Sequence, residues 1–458
     1  MTRAKACGHY GTDTIAHDMS TCPSMPTSCG FFNPTSSLSY PLGIPSLTTS
    51  PVALKSLVGN PMVTRVMMAS TRLAKPSVEA AQSSCLNQCS SAELVYPGIP
   101  SHSLDMTSLY GVVQQGNKID AVALGDVWAF HIQGIDEVVG YMKDDVQRDM
   151  IWDENFTMNQ DTRTILLNPR IQAVESIATA CCRVFSNLCL LNRGRFNNCI
   201  DRWLAKDVPR REFQPLHVAD STRQDLAIPL PIRGLFGVVT VGVHLNVYTV
   251  KRVDGRESID RIWVSHRAKG VNVSYSGMLD QVVAGGMDPT DRVSGVLSPC
   301  VTLKREAREE AGLYIDLNTR EVFMGQEDGT TRLVGSVEQA PAITFYDCKD
   351  HNAGLMNEGH LEPGVRFVYD LRVDTSFQPH TEERGIERFE ALSVDEVKQS
   401  LHSLKWKPNC GLVMVDFMVR KGLVSEADDA RLGDIMTGLR RPLPFKFAQD
   451  EFRVLDGW

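Results

Sequence analysis

Residues 299–312 read Pro-Cys-Val-Thr-Leu-Lys-Arg-Glu-Ala-Arg-Glu-Glu-Ala-Gly, and the fold turns on how they are read. They predict one helix over 299–311. Pro299 suits the first helical position, Gly312 supplies a left-handed stop, and Ser298 is placed to accept from the first free amides as N-cap. A helix turns about 100° per residue, so Cys300, Leu303, Ala307 and Ala311 share a stripe that should pack inward. Glu306, Glu309 and Glu310 fall on an arc beside it. Carboxylates at i, i+3 and i+4 repel one another and weaken an isolated helix. Taken alone they read as a solvated acidic face, a common feature of surface helices. A bound cation would reverse the cost, and Mg2+ is a hard ion that takes carboxylate and phosphate oxygens.

Working outward, residues 279–284 form an apolar run into Gly285-Gly286, which permits close backbone approach to a ligand or a tight turn. Residues 235–250 alternate loosely and 261–266 are β-rich, with Asp254-Gly255 between them as a hairpin turn. Beyond Gly312, residues 321–324, 332–337, 342–346 and 365–373 read as strands. Ser393-Val-Asp-Glu396 has capping-box spacing and opens a helix. Residues 410–420 read as a buried helix and 427–439 as a last one. Strands interrupted irregularly by helices place the chain in the α/β or α+β class.

The chain has 458 residues, 43% hydrophobic and 22% charged, which fits a soluble globular protein of two or three domains. Residues 1–104 are rich in Ser, Thr, Pro and Gly without sustained periodicity, and read as a disordered leader. Within it, residues 62–75 are basic, Ser/Thr-bearing and weakly amphipathic, as in a transit peptide, although they lie deep inside the leader. Location is therefore expected to be cytoplasmic, or mitochondrial or plastid if the leader targets. Residues 105–225 read as an accessory α/β domain. In it, 128–141 suggest two short strands around Gly134 and 169–190 a helix with Ile171 and Val174 on its apolar stripe. Trp203 and Phe213 are anchors, and 217–230 read as a linker. Residues 226–445 make the main domain and 446–458 a tail. Residues 105–458 carry 41 Lys/Arg against 51 Asp/Glu, which argues against a long polyanion and so against nucleic acid. The twelve cysteines show no CxxC pair, so neither a zinc site nor a disulfide framework is indicated. No run of 18 apolar residues suggests a membrane span.

The order strand, Gly285-Gly286, loop, Arg305-Glu-Ala-Arg-Glu-Glu-Ala-Gly-Leu313 resembles the Nudix hydrolases, whose box is G-x5-E-x7-R-E-U-x-E-E-x-G-U with U aliphatic. Its second half matches except for Ala307 at the first aliphatic position. Gly242-Val-His-Leu-Asn246, Tyr275-Ser-Gly-Met-Leu-Asp280, Phe367-Val-Tyr-Asp-Leu371, Lys407-Pro-Asn-Cys410 and Arg440-Arg-Pro-Leu-Pro-Phe445 look like the thiamine-pyrophosphokinase-related branch. The resemblance is tight over 235–445, loose from 108 and absent before. It implies a Nudix α/β/α sandwich behind an N-terminal α/β domain, and hydrolysis of diphosphate bonds, damaged thiamine diphosphate included. Two departures stand out. Arg305 lies 19 residues after Gly286, against fourteen in the box, and no Glu lies between Gly286 and Glu306. Asp288 and Asp291 are the candidates to replace that Glu as the partner of the arginine. Downstream, only Glu387 remains of an acidic family segment.

The expected function is an Mg2+-dependent diphosphatase, with Mn2+ as alternative metal, acting on a small thiamine or nucleoside diphosphate. Metal ions neutralise phosphoryl charge and lower the pKa of bound water. Glu306 and Glu310 are the first choices as ligands, and Glu309 is a third ligand or the base. Arg305 is expected to point away from the Glu arc and brace the loop. Gly285, Gly286, Arg267, Lys269 and Tyr275 are candidates for substrate contact. Core burial competes for Tyr275 and Trp263, solvated loop for Arg267 and Lys269, and a hydrogen-bonded core role for His244. Asn409 is a candidate helix cap, and Cys410 lacks a nearby base for a nucleophile. The competing function is a degenerate Nudix module that binds a diphosphate without turnover; RNA decapping or dinucleotide cleavage is a third reading.

Overall fold

The structure, a computed structural model, describes residues 104–119, 127–207, 211–219, 225–271, 273–326 and 328–446. The leader over 1–103, its basic segment and the tail beyond 446 lie outside these residues.

The first described elements are helix α1 (Tyr110–Gly116), strands β1 (Val127–Ile132) and β2 (Gly140–Lys143), helix α2 (Asp144–Asp149), and strands β3 (Phe156–Asn159) and β4 (Thr164–Leu167). They are followed by α3 (Ile177–Leu191), α4 (Asp201–Leu204), β5 (Phe213–Pro215) and β6 (Ala227–Pro229). A four-stranded sheet runs in the order β2-β1-β4-β3, with β1 and β4 parallel. Its core is aromatic: Phe236 meets Phe130, Phe185 and Trp152 edge-on. The two strands expected around Gly134 are present, with Gly134 at φ 82° between them.

The helix expected over 169–190 begins eight residues later. Ser176 accepts from the Thr179 amide and starts it, while Ile171 and Val174 are exposed, Val174 at a positive φ. A good N-cap outweighed an apolar spacing that continued upstream by chance. Trp203 and Phe213 do anchor, ring to ring at 5.5 Å. The linker expected over 217–230 is corrected at both described ends: His217, Val218 and Leu226–Ile228 are buried and β6 pairs with β5.

The larger sheet contains β7 (Thr240–Val253), β8 (Arg256–Arg267), β9 (Leu279–Asp280) and β10 (Val283–Gly286). A separate small hairpin, β11 (Arg292–Val293) with β12 (Val296–Leu297), precedes α5 (Pro299–Ala311). Then come β13 (Leu313–Ile315), β14 (Glu321–Gly325), β15 (Thr331–Cys348), β16 (Leu361–Arg372) and β17 (Ile386–Leu392), and helices α6 (Val394–His402), α7 (Pro408–Arg420) and α8 (Leu432–Gly438). The order is β13-β14-β15-β16-β7-β8-β17, with β10 on β7 and β9 on β8. Only β16 and β7 pair in parallel within it. Asp254 and Gly255 both take positive φ, as the tight β7–β8 turn requires.

β7 is buried for ten consecutive residues because both faces of the sheet are covered. Val241, Val243 and Leu245 pack with Leu303, Ala307 and Ala311 of α5 on one side. Ile262, Val264 and Val368 pack with α1, α6 and α7 on the other. The fold is therefore the expected α/β/α sandwich. Three details differ from expectation. The run over 279–284 is two strands with different partners. Residues 332–337 and 342–346 belong to one strand with a bulge between Ala340 and Ile343. The last helix is shortened to α8. No described helix is long and apolar enough to cross a membrane.

Candidate metal centre

α5 spans the residues expected of it. Pro299 opens it, Gly312 closes it at φ 63°, and Cys300, Leu303, Ala307 and Ala311 are fully buried. Ser298 does not cap: its side chain makes no cap hydrogen bond, and its buried hydroxyl has no partner. Packing against the sheet holds the helix start without it.

The three glutamates occupy different surroundings. Glu309 is open, with a side chain 55% exposed, whereas that of Glu306 is 12% exposed. Glu310 is partly buried and accepts from the Ala284 amide at 2.7 Å. Burial first, then mutual repulsion, pushes the Glu310 carboxyl up to about 8, opposed by the Ala284 hydrogen bond. Burial also raises Glu306, to about 7, against the pull of Arg305. The two titrate as a pair. A Cβ on Gly285 would meet the Glu306 carboxylate, so a side chain there would push that carboxylate out of its place beside β10. The Gly285 backbone in turn lies against Gly242 of β7. Gly286 has open space at its Cα, and its carbonyl accepts from Arg305 at 2.9 Å.

Arg305 does not point away from the arc. It pairs with Glu306 at 2.9 Å and Glu309 at 3.2 Å. The same guanidinium grips Asp291 through two parallel bonds, 3.0 and 2.9 Å, a fork that fits a carboxylate. Thus Arg305 braces the loop, as expected, but by neutralising the arc as well. Asp291, 2% exposed, is the loop carboxylate that partners the arginine, the part the resemblance gives to the box's glutamate, although it is not at the box's spacing. The added loop length is taken up by the β11–β12 hairpin, whose turn residues Ser294 and Gly295 both have positive φ. Ser298 N–H then closes the hairpin onto the Asp291 carbonyl at 2.8 Å.

The other candidates are placed differently. Arg267 is engaged by Asp280 at 3.2 Å and by the Ser274 carbonyl. Lys269 is exposed and lies 3.5 Å from Glu387. Tyr275 is buried, 3% exposed, at φ 54°. Neither the Arg267 guanidinium nor the Tyr275 ring is open for the substrate contact expected of it. Trp263 packs edge-on to Phe377. His244 is a buried core histidine bonded to Gln281 at 2.8 Å. Asn409 is not the cap of α7, which follows Lys407 and has no side-chain cap. Cys410 is buried and donates to Asp280 at 2.6 Å. With His244 and Asp280 it forms a close His/Asp/Cys group, but Arg267 and Lys407 already pair with that carboxylate.

No family model matches the chain. An uncharacterized protein of Saccharomyces cerevisiae is 28% identical over 216 residues, 47% of this chain and 56% of that one. Nudix hydrolase 20, chloroplastic, of Arabidopsis thaliana is 25% identical over 216 residues, 47% of this chain and 48% of its own. Nudix hydrolase 24, chloroplastic, of the same plant is 23% identical over 328 residues, covering 71% and 76%. The chain is thus similar in sequence to two Nudix hydrolases. It spans about half the length of the first two of these relatives. Among solved structures, the Nudix domain of Shewanella oneidensis NrtR, complexed with ADP ribose, matches 41% of this chain and 88% of its own at 13% identity, TM-score 0.25. A C. elegans Ap4A hydrolase matches 41% and 98% at 7% identity, TM-score 0.24. The helix that carries the resemblance to the Nudix box is α5, and its three glutamates are hard oxygen donors of the kind that Mg2+ or Mn2+ takes.

Proposed function

We propose that the chain is a divalent-metal-dependent hydrolase that cleaves a diphosphate bond in a small substrate, a nucleoside diphosphate derivative or thiamine diphosphate. One observation carries this reading. Two half-buried carboxylates, Glu306 and Glu310, lie beside the Gly285–Gly286 backbone with raised pKa values. Such a pair is costly by itself and suits a divalent cation. Glu306, Glu310 and Glu309 would hold that ion, which supplies charge neutralisation and activation of water.

In the hydrolysis, a water oxygen attacks one phosphorus and the bridging P–O bond breaks, its electron pair leaving with the departing phosphate. Glu309, the exposed carboxylate, would serve either as the third ligand or as the base that takes the proton of the water. Arg305 holds Glu306 and Glu309 in register and ties them to the loop through Asp291. The competing reading, binding without turnover, rests on the absent upstream glutamate and the lengthened loop; the pairing of Asp291 with Arg305 favours the hydrolase. The chloroplastic names of two relatives fit a plastid location for this chain.

The test uses the purified full chain with Mg2+ or Mn2+ and a panel of ADP-ribose, nucleoside diphosphates and intact and oxidised thiamine diphosphate. Phosphate release or product formation is expected, with Glu310→Gln reduced 100-fold or more and still folded. Undiminished turnover by Glu310→Gln rules out this site.

A further inference from the structure

At the start of α7, the chain buries more positive charge than it balances. Two carboxylates lie there, Glu362 on β16 and Asp280 on β9, 7% and 3% exposed. Glu362 takes Arg366 at 2.9 Å and Lys349 at 3.4 Å. Asp280 takes Arg267 at 3.2 Å and Lys407 at 3.7 Å. The charge of Arg233 also acts on Glu362, as does that of Lys407. The next carboxylates along, Asp347 and Asp350, share Lys118 at 2.8 and 3.4 Å.

The cations are not equally engaged. Arg366 donates to the Thr240 carbonyl and hydroxyl and to the Val365 carbonyl besides Glu362. The Lys349 side chain is nine-tenths buried, and among the described residues its ammonium meets no acceptor but Glu362. Lys407 meets none but Asp280, at the longer distance. The Lys349 backbone is pinned to Gly359 and His360, so the side chain is aimed and not trailing. Burial draws the Lys349 ammonium down from its usual range, and the neighbouring Arg233 and Lys407 add to that against the pull of Glu362. Four residues past Asp280 the Ala284 amide donates to Glu310 at 2.7 Å, and the charge of Lys407 acts on that carboxylate, so the cluster borders the acidic face of α5.

An ammonium withdrawn from water, as that of Lys349 is and that of Lys407 is in part, is costly while its donors are unfilled. A phosphate group would fill both donors and cancel the excess, and the first free amides of α7 follow directly after Lys407. We propose that Lys349 and Lys407 form an anion pocket that holds a phosphate group of the substrate while the acidic helix acts on the adjoining anhydride. The identity of the anion as a substrate phosphate rests on the hydrolase reading; the existence of the pocket does not. The pocket gives a purpose to Lys407-Pro-Asn-Cys410, which the metal centre leaves without one.

The probe is inorganic pyrophosphate, titrated calorimetrically into the full chain with EDTA present. Lys349→Met and Lys407→Met are each expected to weaken binding ten-fold or more, Lys349→Arg to restore part of it, and Glu310→Gln to bind no more weakly than the parent. With metal and substrate, KM is expected to rise at least ten-fold in both Met variants. Unchanged pyrophosphate affinity in Lys349→Met and Lys407→Met that melt like the parent overturns the pocket. If Lys349→Met does not fold, Lys407→Met decides by itself. Lysine-dependent binding by a chain that hydrolyses nothing in the panel upholds the pocket and sinks the hydrolase reading. Hydrolysis with a KM indifferent to both lysines does the reverse.

Discussion

Arg305 is the residue on which the acidic arc depends. Three carboxylates on one face destabilise a helix, and its guanidinium offsets part of that repulsion before any metal arrives. That guanidinium is fastened to Asp291, whose side chain is 3% exposed. Removing Asp291 leaves Arg305 partly buried and short of a partner. Asp291→Ala is expected to lower stability by about 1–3 kcal/mol, less than for a fully buried pair because Arg305 keeps some solvent. It should also loosen the loop that carries the Gly286 carbonyl. Urea unfolding gives the first number, and Mn2+ affinity measured by calorimetry checks the second. A variant as stable as the parent and with unchanged affinity would show that Asp291 is incidental. The sequence offered Asp288 and Asp291 as equal candidates. The choice was made by the β11–β12 hairpin, which turns the loop so that Asp291 faces the helix.

At the scale of elements, two helices make opposite use of a serine in the same position. Ser393 accepts from the Glu396 amide, and Glu396 reaches back to the Ser393 amide at 2.7 Å, a complete capping box. Ser298 stands before α5 with a buried, unpartnered hydroxyl. Ser393→Ala is therefore expected to cost about 1 kcal/mol. Ser298→Ala is expected to be neutral or slightly stabilising, because it removes a buried polar group that has no hydrogen bond. Thermal melting of the two variants side by side separates the cases, and equal losses would contradict the assignment. The spacing of both serines is readable in the sequence, but only α6 has its start in solvent, where a cap decides the helix. The start of α5 is held by Cys300, Leu303 and the sheet beneath them. The bulge inside β15 has a similar cause: an interruption in the apolar pattern marks two strands in sequence and a single bent one once β16 pairs along its length.

For the whole molecule, the buried titratable groups determine how stability responds to acid. Burial draws His217, His244 and His360 down to about 3. Below pH 6.5 the unfolded chain takes up protons that these imidazoles refuse, so stability falls as pH drops through 6.5 toward 3. Each contributes a slope of up to about 1.4 kcal/mol per pH unit. Glu306, Glu310 and Asp347, raised by burial, act in the opposite direction. The variant His360→Asn isolates one imidazole: between pH 6.5 and 5 its stability should fall less steeply than that of the parent, by about 1 kcal/mol per unit on average. Denaturant unfolding across that range measures it, and parallel curves would refute the buried neutral imidazole. Of the three, only His244 could be read as a core histidine in the sequence, from its place in a strand; burial of the other two is a property of packing and not of neighbours along the chain.

What the sequence determined by itself was local: the span of α5, its buried stripe and glycine stop, the Asp254-Gly255 turn, the Ser393 cap and the apolar α7. Each follows from residues within a few positions of one another, where helix period and turn chemistry suffice. The sandwich also came from the sequence, through resemblance to the Nudix hydrolases. Only the tertiary structure decided which carboxylate meets Arg305, that Arg267 is tied to Asp280 and Tyr275 buried, and that Lys349 pairs with Glu362 and Lys407 with Asp280. These groups come from β15, β16, β9 and α7, up to about 130 residues apart, and no periodicity links them. The opening stretch contained the helix, and the sheet and loop around it raised two of its glutamates into a strained pair suited to a cation.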